Sequence, residues 1–203
     1  MIYSGQLLSP HTVNRLSQTA DTALFEAGGT SAPTRKDKYN TQYTLSGALF
    51  ADVARELMRN GLFLEAACPR RIARLALVRY ATGDGYGPHV DAGVQEGIPV
   101  DVSFTIGVNP LSGYRGGLLS ISGVGSQTVA PGKGVVYPAT MIHEVTPVTH
   151  GHRTVLVGWA ESHYKTIEAR QCGAIVHRLS RATQGGHLEN DVAQLSILLR
   201  RLL

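Results

Sequence analysis

The chain has 203 residues, 43% hydrophobic and 17% charged, with a formal net charge of +4. That length suits one domain with a sizeable core, and the composition excludes a disordered chain. Basic residues come only in short pairs such as Arg70–Arg71 and Arg200–Arg201, so no nucleic-acid stripe is present and no nucleic-acid partner is expected.

The start, "MIYSGQLLSPHTVNRL", has no basic segment followed by an apolar run, and no apolar run is long enough to cross a bilayer. Cys68 and Cys172 stand far apart and outside any C-x-x-C arrangement, which points to reduced thiols and a cytoplasmic protein. No membrane partner is expected. An excess of +4 is too small to argue a substrate from.

From Ser9 to about Leu64 the period is helical. Ser9–Pro10 reads as N-cap and first turn, with Val13, Leu16, Ala20 and Ala23 at helical spacing. A second helix is expected from Ser46, with Leu49, Val53 and Leu57 on one face and a stop at Asn60–Gly61. Between the two, "AGGTSAPTRKDKYNTQY" reads as loop and then extended chain. From Ile72 to Trp159 the period falls to two. In "VDVSFTIGVN", Val100, Val102, Phe104, Ile106 and Val108 face one way and Asp101, Ser103 and Thr105 the other.

"IARLALVRYA", "GGLLSIS", "KGVVYP" and "RTVLVGWA" are further strands bounded by turn residues, with no helices between them. An antiparallel sandwich or barrel follows rather than a parallel sheet. Beyond Glu161 helix returns; "NDVAQLSILLRRLL" carries Val192, Leu195, Leu198, Leu199 and Leu202 on one face, with Asn190 or Asp191 as cap. A packing helix is expected there, and a homodimer contact is the alternative. The chain is thus read as one domain in three stretches, 1–70, 71–165 and 166–203.

The stretch "YGPHVDAG" holds the chemistry. On extended backbone His89 and Asp91 point the same way. An isolated H-x-D is most often a surface turn, and a metal needs a third ligand. His143 is positioned to supply it, in "VVYPATMIHEVTPV", because two histidines and one carboxylate make the facial triad of non-haem Fe(II) sites. Arg153 shares a strand face with Val155, Val157 and Trp159, which turns a guanidinium into an apolar interior, where it needs an anion. A dicarboxylate with a 2-oxo acid at one end would chelate iron and meet Arg153 at the other. That chemistry suggests an iron enzyme using 2-oxoglutarate.

Together "RYATGDGYGPHVDAG", "GGLLSI" and "GKGVVYPATMIHEVTPVTHGHRTVLVGWAES" resemble the Fe(II)/2-oxoglutarate-dependent dioxygenases, and among them the bacterial PKHD-type hydroxylases related to prolyl 4-hydroxylases. The resemblance runs from Leu62 to Tyr164. It implies a mainly β fold with flanking helices, a double-stranded β-helix or jelly roll. It implies His89, Asp91 and His143 as iron ligands, Arg153 as the anchor of 2-oxoglutarate, and Tyr80 as an aid to cosubstrate binding. Fe(II), 2-oxoglutarate and O2 follow as cofactor and cosubstrates, with ascorbate as a candidate reductant. The substrate is an amino acid, a peptidyl residue or a small natural product, and the occupied Asp91 position favours hydroxylation over halogenation.

Three further readings stay open, one of them a partner-binding scaffold with an inert pocket that docks through its basic tail helix. Repair-type dioxygenases resemble one another in a second arginine after the distal histidine, and here Trp159 stands six residues past Arg153. A cupin-like binding protein would use the barrel without turnover; Arg153 argues against it. Among the other histidines, His11, His150, His163, His177 and His187 read as surface residues, and His152 as the substitute should His143 fail. Trp159 and Phe104 read as core, Gly83, Gly85 and Gly87 as a flexible turn beside the metal, and Asn40 and Gln42 as strand-edge residues with substrate contact as the alternative. Tyr137 has no assigned role.

Overall fold

The computed structural model describes residues 2–31, 36–184 and 188–202. Strand β1 (Tyr3–Gln6) leads into helix α1 (Pro10–Thr22); short strands β2 (Glu26–Ala27), β3 (Lys38–Tyr39) and β4 (Thr41–Thr44) precede helices α2 (Gly47–Leu57) and α3 (Gly61–Ala67). Then come β5 (Pro69–Ala81), β6 (Gly85–His89), β7 (Val94–Gln95), β8 (Ile98–Pro99) and β9 (Val102–Gly107). After them run β10 (Tyr114–Gly116), β11 (Leu119–Ile121), β12 (Gly125–Gln127), β13 (Lys133–Pro138), β14 (His143–Val145) and β15 (Val148–Ser162). Helices α4 (Ile167–Ala182) and α5 (Glu189–Leu202) follow.

The strands make two facing antiparallel sheets and a separate two-stranded ribbon, β7-β8. The larger runs β1-β13-β9-β15-β5-β4-β2, with β10 joined to β15, and the smaller runs β12-β11-β14-β6-β3. This is the expected jelly roll, with its sheets left open rather than closed into a barrel.

Period-two alternation explains why the large sheet is buried on both faces. On β5, Leu75 and Leu77 point outward to the helices, whereas Ala76, Val78 and Tyr80 point inward to the smaller sheet. On β9, Val102, Phe104 and Ile106 take the outward side. Ser103 and Thr105 are therefore turned inward and are buried, not solvated.

The outer layer is covered by Val13 and Leu16 of α1, Val53 and Leu57 of α2, and Phe63 of α3. Phe63 meets Phe104 edge-to-face, ring centroids 5.0 Å apart. Burying such a ring stabilises the fold by about 1.5–3 kcal/mol. Gly158 on β15 makes room for it, since a Cβ there would lie 2.2 Å from Phe104.

Local signals held in part. Ser9 caps α1 as expected, accepting from the Thr12 N–H. Asn60, expected to end α2, instead caps α3 by accepting from Phe63 N at 3.0 Å. An asparagine side chain serves a helix start as readily as a stop. Strand β1 was not anticipated. The tail helix begins at Glu189, so Asn190 and Asp191 lie inside its first turn, where acidic groups suit the helix dipole. Helix α5 packs through Leu199 against Cys68, Tyr164 and Ala169, and leaves Leu195, Ile197 and Leu198 exposed.

Candidate metal centre and its cavity

Strands β6 and β14 are neighbours, and their register sets His143 opposite His89. The two imidazole centroids are 4.2 Å apart. Asp91 lies in the turn just past β6, not on the strand, and its N–H donates to Ala139 O at 3.3 Å. That turn still brings the carboxylate round. His89 Nε2 is 3.9 Å from Asp91 Oδ1, and His143 Nε2 is 3.7 Å from Asp91 Oδ2. One potential ligand atom from each of the three residues lies within 4.8 Å of the others.

The imidazoles are oriented from behind. His89 Nδ1 donates to Gly87 O at 2.8 Å and His143 Nδ1 to Met141 O at 3.0 Å, since a carbonyl can only accept. Each Nε2 is thereby left with its lone pair towards Asp91, the tautomer a metal ligand needs. Ser103 Oγ donates to Asp91 Oδ2 at 2.5 Å. Tyr86 stacks on His89, centroids 3.6 Å apart, and Tyr137 meets the edge of His143.

Arg153 stands on β15 opposite Tyr80 of β5. Its guanidinium lies over the Tyr80 ring, 5.3 Å from the centroid, and the residue is only 2% exposed. Nη1 is buried without a hydrogen-bond partner, and no described carboxylate pairs with Arg153. Gly117, at φ +60°, lets it in: a Cβ there would sit 2.8 Å from Arg153 Cδ. An unpaired buried guanidinium is costly unless an anion completes it. Arg153, Tyr80 and the His89–Asp91–His143 cluster all line one cavity of about 340 Å³. The donor set suits Fe(II), and the orphaned guanidinium suits a dicarboxylate bound alongside.

Residues 75–161 match the family described as the 2OG-Fe(II) oxygenase superfamily. A PKHD-type hydroxylase of Idiomarina loihiensis is 34% identical over 168 residues, covering 79% of this chain and 77% of its own. A second PKHD-type hydroxylase, from Picosynechococcus, is 34% identical over 175 residues, covering 82% and 80%. This chain belongs to the 2OG-Fe(II) oxygenases, among the PKHD-type hydroxylases. Solved structures agree on the fold. A Pseudomonas putida prolyl-4-hydroxylase superposes with TM-score 0.58 at 18% identity, covering 79% of this chain and 92% of that one. A Burkholderia pseudomallei 2OG-Fe(II) oxygenase gives 0.61 at 17%, covering 81% and 86%.

The hydroxylase is thus a 2-oxoglutarate-dependent iron enzyme. Its cavity also takes in residues that the sequence left as packing or strand edge. Asn40 and Gln42 line it, and so does Trp159, whose indole N–H is buried without a partner. Phe104 belongs to the outer core, as expected. Lys38, Arg74 and Gln95 line the cavity too and were not singled out, because nothing in their local sequence distinguishes them from surface polar residues. Burial, then the nearby Arg74 charge, lowers the Lys38 pKa to about 8, with Asp91 pulling the other way. Burial raises the phenols of Tyr80 and Tyr137, so both stay neutral hydroxyls.

His150 and His152 are exposed and away from the cavity, so His152 is no substitute for His143. His11 is exposed, His163 and His177 are half-buried, and His187 falls outside the described residues. Of the glycines in "GDGYG", Gly83 sits in the expected turn at φ +94° with open space at its Cβ position, but Gly85 and Gly87 do not. Gly85 and Gly87 lie on β6, where a Cβ would meet Val145 O at 2.9 Å and the Asp37 carboxylate at 2.1 Å. They are there for close approach. Among the described residues no helix is long and apolar enough to cross a membrane.

Proposed function

We propose that the hydroxylase uses His89, Asp91 and His143 to hold Fe(II), with Arg153 and Tyr80 binding 2-oxoglutarate, and oxidises a C–H bond of an amino acid, peptidyl residue or small natural product. When bound, iron with 2-oxoglutarate and O2 supplies the oxidising chemistry, in which the cosubstrate becomes succinate and CO2 and the substrate gains a hydroxyl group.

The protein's share is position and charge. The imidazole Nε2 atoms and the Asp91 carboxylate present three donors on one side, leaving the cavity side open. Ser103 holds one carboxylate oxygen, and the Gly87 and Met141 carbonyls hold the rings. Arg153 pairs with the far carboxylate, and the neutral Tyr80 hydroxyl donates beside it. Apolar walls from Val78, Leu119, Val145, Val155 and Val157 keep bulk water from the reacting centre. Ascorbate is the expected reductant for iron oxidised off cycle, and the two free thiols suit a reducing cytoplasm.

The observation that carries this reading is the guanidinium of Arg153, buried without an anion in the same cavity as the two histidines and the aspartate. His143→Ala is the test: succinate formation should vanish with the fold retained, as judged by circular dichroism. Undiminished succinate in that variant would remove His143 from the ligand set.

A further inference from the structure

A second cationic group lies at the other end of the cavity. Arg74 and Trp159 are register partners on β5 and β15, as Tyr80 and Arg153 are. Six residues separate the pairs on each strand, so at a rise of about 3.3 Å the two arginines are roughly 20 Å apart along the sheet. Both line the cavity. A five-carbon dicarboxylate held by Arg153 cannot reach Arg74, so Arg74 is not a second anchor for the cosubstrate.

Among the described residues Arg74 has no carboxylate of its own. Nη1 donates to Gln95 Oε1 at 3.3 Å and Nη2 to Thr44 Oγ1 at 2.8 Å, both neutral acceptors, while Nε is buried without a partner. The guanidinium carbon lies 5.7 Å from the Trp159 ring centroid. Lys38 enters from β3, its ammonium 5.1 Å from the Tyr86 ring, within electrostatic reach of both Arg74 and the Asp91 carboxylate. Among the described lining residues, Lys38, Arg74 and Arg153 are the lysine and arginine cations and Asp91 is the carboxylate. Fe(II) and the dianion of 2-oxoglutarate cancel each other. The half-buried Arg74, bonded only to neutral acceptors, therefore keeps its positive charge at that end of the cavity.

We propose that Arg74 and Lys38, with the Trp159 indole N–H beside them, form a substrate anion subsite, so that the hydroxylase acts on a compound bearing a free carboxylate. The inference rests on the proposed function and narrows its substrate class to free or N-acylated amino acids, rather than residues inside a peptide. Arg74 offers a fork of donors to a planar carboxylate, the Lys38 ammonium adds a point charge, and Trp159 gives a flat wall. The scissile C–H then lies between this subsite and the His89–Asp91–His143 cluster.

Trp159 is the single tryptophan of the chain, so its emission reports occupancy of this end of the cavity. The protein is loaded anaerobically with Fe(II) and saturating 2-oxoglutarate, then titrated with N-acetyl amino acids, each paired with its neutral amide. The expected result is at least tenfold tighter binding of the carboxylate member in the pairs that fit. That preference should shrink towards unity in Arg74→Gln and in Lys38→Met, and persist in part in Arg74→Lys. Equal affinities across the panel in the wild-type protein, absence of binding included, overturn the subsite even should a variant fail to fold.

The visible charge-transfer absorption of the Fe(II)–2-oxoglutarate pair is read in the same cuvette. If that band is absent, the iron and cosubstrate reading has failed. If the band is present without a carboxylate preference, the subsite alone has failed.

Discussion

Replacing Arg153 with methionine should change stability and cosubstrate binding in opposite senses. Without 2-oxoglutarate the wild-type protein carries a guanidinium that is 2% exposed, has Nη1 unsatisfied and faces no described carboxylate. Methionine fills similar volume without that desolvation cost, so the ligand-free variant should melt no lower than wild type and is expected to gain about 1 kcal/mol. For a chain of this size that is roughly 2–4 °C in Tm.

Binding should move the other way. Leaving one buried carboxylate of the cosubstrate unpaired costs about 2–5 kcal/mol, a rise in Kd of roughly 30-fold to several thousand-fold. At a 2-oxoglutarate concentration 100 times the wild-type Kd, wild type gains about 2.7 kcal/mol of apparent stability. The variant should lose nearly all of that shift. Scanning fluorimetry of both proteins, metal-loaded with and without 2-oxoglutarate, reads all four values. A variant that melts well below wild type yet keeps the full ligand shift would refute the reasoning, because Arg153 would then be a structural residue.

Four further outcomes are expected. Gly117→Ala places a Cβ against Arg153 Cδ and Val148 at a left-handed backbone position, a strain of about 1–2 kcal/mol, so 2-oxoglutarate affinity should fall while metal binding is kept; calorimetric titration of each separates them. Ser103→Ala removes the donor to Asp91 and should weaken Fe(II) binding about 10- to 100-fold, measured by competition with a chromogenic chelator. Cys172 is exposed and Cys68 buried with its thiol pushed up to about 11, so a disulfide reagent at pH 8 should titrate one thiol fast and the second only on unfolding. Because the Cys68 thiol is raised in the fold, its share of stability is whole below its ordinary value near 9 and is lost as pH rises towards 11. The stability gap between wild type and Cys68→Ala should narrow across that window in urea melts, and a gap independent of pH would speak against it.

Much of the site was legible because it is built on strands. Alternation along "RTVLVGWA" was enough to turn Arg153 inward, and the same parity places Tyr80 opposite it. Alternation in "VDVSFTIGVN" holds from Val102 to Val108, whereas Val100 precedes β9 and packs with the inner cluster; the polar side, Ser103 and Thr105, looks the same in sequence whether it meets water or the metal cavity. Only the smaller sheet packed across from it decides that. Lys38, Arg74 and Trp159 come from strands far apart in the chain, and their convergence depends on register, which no local pattern encodes. Helix α3 was missed because Asn60–Gly61 is as good a stop signal as a start. Gly85 and Gly87 read in sequence like the turn glycine Gly83 for a similar reason: glycine marks close approach and freedom alike, and only the neighbours Val145 and Asp37 tell which.

The central claim is that His89, Asp91, His143 and Arg153 together hold Fe(II) and 2-oxoglutarate in one cavity. Anaerobic addition of Fe(II) and then 2-oxoglutarate to the metal-free protein, followed in the visible spectrum, tests it most directly. A weak charge-transfer band that needs both additions, is lost in Asp91→Ala and needs far more cosubstrate in Arg153→Met is the predicted result. A band of equal strength in all three proteins, or none in wild type with tight zinc binding in its place, would contradict it.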